Sequence, residues 1–164
     1  MNDGRSWPGN GVEIGLTLYG RPYTKKNSQR IAKNKKTGAR FVKPSANYEA
    51  YEKNCLAQIP HCMRLFIEEP VNVRCVYWMP TRHRVDLVNL LEATDDILVN
   101  AGLLKDDNAQ IIVSHDGSRA RFDKENPRVE IVITRAEEKR AQTAEDCDRP
   151  VIRAITDTIH THTT

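Results

Sequence analysis

The sequence has no apolar run near the roughly 20 residues needed to span a bilayer, so it does not read as a membrane protein. Residues 1–11 lack the apolar core of an export signal, and the cytoplasm is the expected location. The four cysteines, Cys55, Cys62, Cys75 and Cys147, show none of the paired spacings of a zinc site. In a reducing compartment they are expected as free, mostly buried thiols. No G-x-G-x-x-G or G-x-x-x-x-G-K-[ST] loop is present, which argues against a nucleotide cofactor. Ser114-His115-Asp116 are consecutive, whereas a catalytic triad is assembled in space, so they read as a strand end and turn. The aromatic residues form no evident stacking platform, which disfavours an RNA-binding module.

Charge of one sign is also missing locally. Between Glu13 and Glu49 there is no acidic residue, yet Arg21, Lys25, Lys26, Arg30, Lys33, Lys35, Lys36, Arg40 and Lys43 all lie there. The opposite bias follows, with Asp86, Glu92, Asp95, Asp96, Asp106 and Asp107 set against Lys105 alone. A basic arm and an acidic cluster in one small domain suggest an anionic polymer with a cation bound between.

Periodicity divides the chain into a polar leader (1–11), a folded domain (12–136) and a polar tail (137–164). Val12, Ile14, Leu16 and Leu18 alternate as a half-buried strand. Thr37-Gly38 suggests the turn of an exposed ribbon within the basic arm. Ser45 can cap a helix running from 46 to about 59, which Pro60 stops. Val71, Val73, Cys75 and Tyr77 alternate as a second strand. Leu87, Leu90, Leu91, Thr94, Ile97, Leu98 and Ala101 fall on one helical arc, with Gly102 as its C-terminal cap. Ile111 to Val113 predicts a short strand, Asp116-Gly117 a hairpin turn with 120–122 returning, and Val129, Ile131 and Ile133 the last strand. This order predicts an α+β fold, a mixed β-sheet with two main helices packed on one face.

The second helix is where chemistry can gather. Asp86 stands at its start, and Asn89, Glu92 and Asp96 share the polar arc within about 60°. Asp107 can join from the following loop. Hard carboxylate oxygens beside a phosphate-binding surface are the donor set for Mg²⁺, and for metal-assisted phosphodiester hydrolysis. Each residue also has a plainer role open to it: Asp86 as a helix cap, Asp95 and Asp96 as a solvated face, Asp106-Asp107 as an ordinary turn.

The run Met79-Pro80-Thr81-Arg82-His83-Arg84-Val85-Asp86-Leu87-Val88-Asn89-Leu90, with Asp96 and then Asp106-Asp107-Asn108 downstream, resembles the signature of the RusA family of Holliday-junction resolvases. In that family a strand ending in Pro leads through a basic loop to D-x-D-N-L, then a helix, then D-D. The likeness runs from about Ile14 to Ile133. It implies a homodimeric, Mg²⁺-dependent endonuclease (Mn²⁺ can substitute) that cuts four-way DNA junctions symmetrically. It carries the metal-ligand role onto Asp86 and Asp107, and gives Asn89 the task of positioning a carboxylate or a water. Lys25, Lys26 and Asn27 take the place of an Asn-containing loop, and with Arg30 they would contact DNA. Arg82 and Arg84 would hold the scissile phosphate, because guanidinium grips phosphate in bidentate fashion. Two positions depart from the pattern: Val88 stands where the family has its second Asp, and Glu92 where it has a Lys. One reading makes Glu92 the relocated third ligand, since i and i+4 are neighbours on a helix. Others make the protein an inactive junction binder, or a nuclease for flaps and forks.

Overall fold

A computed structural model describes residues 13–25, 30–33 and 35–136. The leader (1–11) and the tail (137–164, with Cys147) lie outside the described residues, as do Lys26 and Asn27 of the basic arm. The strands are β1 (Ile14–Tyr19), β2 (Arg30–Lys33), β3 (Arg40–Lys43), β4 (Val71–Met79), β5 (Ile112–Ser114), β6 (Arg119–Phe122) and β7 (Arg128–Arg135). The helices are α1 (Ala46–Gln58) and α2 (Leu87–Asn100). β1, β7 and β4 form an antiparallel sheet, and β5 and β6 both add to the free side of β4 in parallel. The sheet is mixed and both helices pack on one face, as the α+β reading expects. β2 and β3 form the separate ribbon, with Gly38 at φ 72°.

The core follows the period of two. Val71, Val73, Cys75 and Tyr77 are fully buried along β4, and Val129, Ile131 and Ile133 alongside them on β7. Against them lie Tyr48, Tyr51 and Cys55 of α1 and Leu90, Ile97 and Leu98 of α2. Each large apolar side chain so buried contributes about 1.5–3 kcal/mol. Within this layer the Tyr77 and Thr94 hydroxyls lie 2.8 Å apart, and Thr94 also donates to the Leu90 carbonyl. Burial pushes the Cys55 thiol up to about 11 and the Cys75 thiol up to about 12, so both stay protonated and unreactive.

Local signals set the helix ends. The Ser45 hydroxyl accepts from the Tyr48 amide at 3.1 Å, capping α1. α1 in turn finishes β1: Gln58 accepts from the Tyr19 amide and donates to the Tyr19 carbonyl. At the end of α2, Gly102 takes φ +74°, Leu103 N–H donates to the Leu98 carbonyl, and Gly102 N–H to that of Val99. This paired closure needs a residue without a Cβ at that turn. A Cβ at Gly102 would also stand 3.0 Å from Phe66 Cζ.

The hairpin expected at Asp116-Gly117 does not form. β5 and β6 run in the same direction, as one interrupted edge strand, and residues 115–118 bulge out between them. Side chains replace the missing ladder. Asn72 Oδ1 accepts from Ser114 Oγ and from the Asp116 amide, each at 2.7 Å, and Ser118 Oγ accepts from the Cys75 amide at 2.9 Å. A turn dipeptide fixes a local bend; whether the chain reverses depends on these partners more than 40 residues away, which no local pattern reveals.

The bulge is also pinned to α2. His115 Nδ1 lies 2.9 Å from the Val73 carbonyl and Nε2 lies 3.1 Å from Asp95 Oδ2. The charged ring can donate at both ends, and the hydrogen bond it donates to Asp95 raises the His115 pKa. A raised histidine stabilises the fold fully below its unfolded value near 6.5 and loses that contribution as pH rises through the folded value. Urea midpoints should therefore fall as pH rises above about 6.5, with a slope that His115→Gln removes. An equal slope in the variant would place the titration elsewhere.

Candidate active site on helix α2

The acidic residues of α2 separate into distinct neighbourhoods. At the helix start, Asp86 is extended (φ −87°, ψ 114°) and caps the helix, Oδ1 accepting from the Val88 amide at 3.0 Å. Its Oδ2 accepts from Asn89 Nδ2 at 3.1 Å. A carboxylate has about four acceptor positions, so these two bonds orient Asp86 and leave it able to coordinate. Val88 is 68% exposed on this first turn, and so it contributes little to the core.

One flank of the helix faces the basic arm. Lys25 Nζ lies 2.7 Å from Asp96 Oδ2. That hydrogen bond, with the charges of Asp96, Glu52 and Glu92, raises the Lys25 pKa and keeps the ammonium charged. Burial, and then the charges of Glu52, Asp96 and Glu92, push the Tyr48 phenol up as well. Asp95, the next residue along, is turned the other way and buried against His115. Neither residue belongs to a solvated face.

Beyond the helix, Asp106 builds the turn. Its Oδ1 accepts from the Asp107 amide and its Oδ2 from Asn108 Nδ2, both at 2.8 Å. Those bonds, that from Asn108 foremost, hold Asp106 below the usual carboxylate range. Asp107 moves oppositely: partial burial, then Asp106 beside it and Asp96 farther off, raise its pKa. A carboxylate in the field of two others is stabilised by a cation.

Among the described residues, no three His, Cys, Asp or Glu side chains form a group that could hold a metal ion. Asp86, Glu92 and Asp107 are therefore not gathered into a closed cage. Their donors are all hard oxygens, and the negative field at Asp107 favours a cation. Such a set fits an ion that keeps most of its waters and takes one or two carboxylates plus phosphate oxygens.

Cations line the approach. Arg21, Tyr23, Thr24, His83 and Arg84 border a concavity of about 180 Å³ between the end of β1 and the loop before α2. The Arg82 guanidinium lies 4.3 Å from the centre of the Phe122 ring, which fixes its plane while its N–H groups stay available. Of the expected DNA contacts, Lys25 is tied to Asp96, Arg30 opens β2, and Lys26 and Asn27 lie outside the described residues.

Arg21 and Phe122 join this region beyond the residues the sequence singled out, and Asp96, read there only as part of the polar arc and the signature, joins it through Lys25. Asp96 carried a signal, standing four residues after Glu92 on the polar arc. Phe122 carried none, because it reaches Arg82 only through its register with Met79.

No curated protein matches the chain. The family model described as endodeoxyribonuclease RusA matches residues 20–134, a span holding the basic arm, both helices, the acidic residues of α2 and the turn at Asp106-Asp107. That match covers most of the sequence and agrees with the mixed sheet and the two helices: the chain belongs to the RusA endodeoxyribonuclease family.

Proposed function

We propose that the protein is a Mg²⁺-dependent endonuclease that acts as a homodimer on four-way DNA junctions, making paired symmetric cuts. The observation that carries this reading is the family match across the segment that holds Asp86, α2 and Asp107, with a concavity bordered by Arg21 and Arg84 at the start of that helix. Asp86 and Asp107 would hold the ion, with Glu92 as the third ligand. When bound, Mg²⁺ would lower the pKa of a water and offset charge on the phosphate. Asn89 keeps the Asp86 carboxylate oriented. Arg82 and Arg84 position the phosphate without reading bases. A two-fold dimer would present two such sites to opposite strands.

Cleavage of a labelled four-way junction, with and without Mg²⁺, tests the reading. The wild type should make paired nicks that require the metal, and Asp86→Asn should bind the junction without cutting it. Val88, exposed where the family pattern has an acid, favours a second reading, a junction-binding protein without turnover. Tight binding with no cleavage in Mg²⁺ or Mn²⁺ would establish that instead. Faster cutting of flaps or forks than of four-way junctions would replace the resolvase reading with a broader nuclease.

A further inference from the structure

The sheet has a second face, away from both helices, and its side chains form rows across the strands. Register places Arg121 of β6 beside Trp78 of β4, Trp78 beside Arg128 of β7, and Arg128 beside Tyr19 of β1. The guanidinium of Arg128 lies 4.6 Å from the centre of the Trp78 ring and that of Arg121 lies 5.8 Å away. The next row brings Arg119 beside Val76, and Arg74 follows two residues earlier on β4. With strands about 4.8 Å apart, the first row spans about 15 Å, comparable to the width of a DNA major groove.

The charge on this face is uneven. Arg128 is neutralised by Asp123 at 2.9 Å and Glu130 at 2.8 Å. Arg74, Arg119 and Arg121 are exposed, and among the described residues no carboxylate forms an ion pair with them. Lone arginines can serve merely to guard an edge strand from pairing. Two features here point further. The arginines flank a half-exposed aromatic ring, and their surface continues into the candidate active site. Arg121 and Phe122 are adjacent on β6 but face opposite sides of the sheet, and Phe122 carries Arg82. Positive charge thus wraps around the end of the edge strand, from the phosphate-positioning loop onto the outer face.

We infer that the outer face around Arg74, Arg119, Arg121 and Trp78 is a second contact surface for a nucleic-acid backbone, receiving the duplex arm that leaves the cleavage site. The inference rests on the DNA-binding part of the proposed function and does not depend on turnover. Its test uses the full chain and a fluorescently labelled linear duplex, followed by anisotropy across a salt series, with the four-way junction in parallel. Each phosphate contact contributes about −0.9 to the slope of log K against log salt. Arg119→Ala/Arg121→Ala should therefore make the slope shallower by about two units and weaken binding to both DNAs. Lys substitutions at both positions should restore the slope. The cleavage rate at saturating junction should be unchanged. Lys53→Ala/Arg64→Ala, which removes two exposed charges elsewhere, should leave the slope as it was.

An unchanged slope in the Arg119/Arg121 variant, an equal loss in the Lys53/Arg64 variant, or a wild type that binds no duplex would each overturn the inference. So would a change of oligomeric state in the sedimentation of the Arg119/Arg121 variant, since the face would then join copies of the chain. A wild type that binds duplex but cuts no branched DNA would count against the proposed function alone.

Discussion

Replacing Asp107 with Asn is expected to slow cleavage of a four-way junction by about a thousandfold, a loss of several kcal/mol in metal-assisted stabilisation of the transition state. Junction affinity should stay close to that of the wild type. The two carboxylates of the turn are not equivalent. Asp106 spends its oxygens on the Asp107 amide and the Asn108 side chain, and its lowered pKa reflects those bonds. Asp107 carries a pKa raised first by partial burial and then by Asp106 and Asp96, and the Asn side chain removes its charge with little change in shape. Glu92→Ala should cost less, about 10–100-fold, and raise the Mg²⁺ concentration needed for half-maximal rate. Single-turnover rates across a Mg²⁺ titration separate the two variants. A Glu92 variant with an unaltered rate and Mg²⁺ midpoint would remove that residue from the ligand set.

Leu98→Ala should give the largest loss of stability, about 2–5 kcal/mol, which in a domain of this size lowers the melting temperature by roughly 10 °C. Leu98 is fully buried on α2. Its carbonyl accepts the closing bond from Leu103, so the cavity would open beneath the turn that leads to Asp107. Asp86, at the other end of α2, is held by its own cap and by Asn89. Cleavage by the surviving folded fraction at low temperature should therefore depend more steeply on Mg²⁺, even where the Asp86 geometry persists. Thermal unfolding followed by circular dichroism reads the stability. A loss below about 1 kcal/mol would mean that the core closes over the gap.

The strands, both helices and their caps are legible in the sequence because each is fixed by neighbours a few residues apart. Ser45, Asp86 and Gly102 announce their helix ends through bonds to the adjoining turn. The edge strand is not legible in this way. Its direction depends on Asn72 and Ser118, which act across gaps of more than 40 residues. The candidate site divides similarly. Asp86, Asn89 and Asp107 stand out through a signature compressed into a short stretch. That Asp95 is committed to His115 and Asp96 to Lys25 requires knowing what lies on either side of the helix. Composition found the basic arm, but the unpaired arginines of β6 escaped notice, because Arg119 and Arg121 read as ordinary polar positions of a short strand.

Asp95 and Asp96 make α2 an indexing shaft. Successive side chains leave a helix about 100° apart, so one residue latches the edge strand while the next holds the basic arm. Inserting a single residue just ahead of them would advance both by that angle, carry Asp95 out of its buried seat and release Lys25. The ribbon between β2 and β3 can change length without disturbing that phase. Chain length is thus constrained most tightly where the helix itself supplies the alignment, between its cap at Asp86 and its two opposed aspartates.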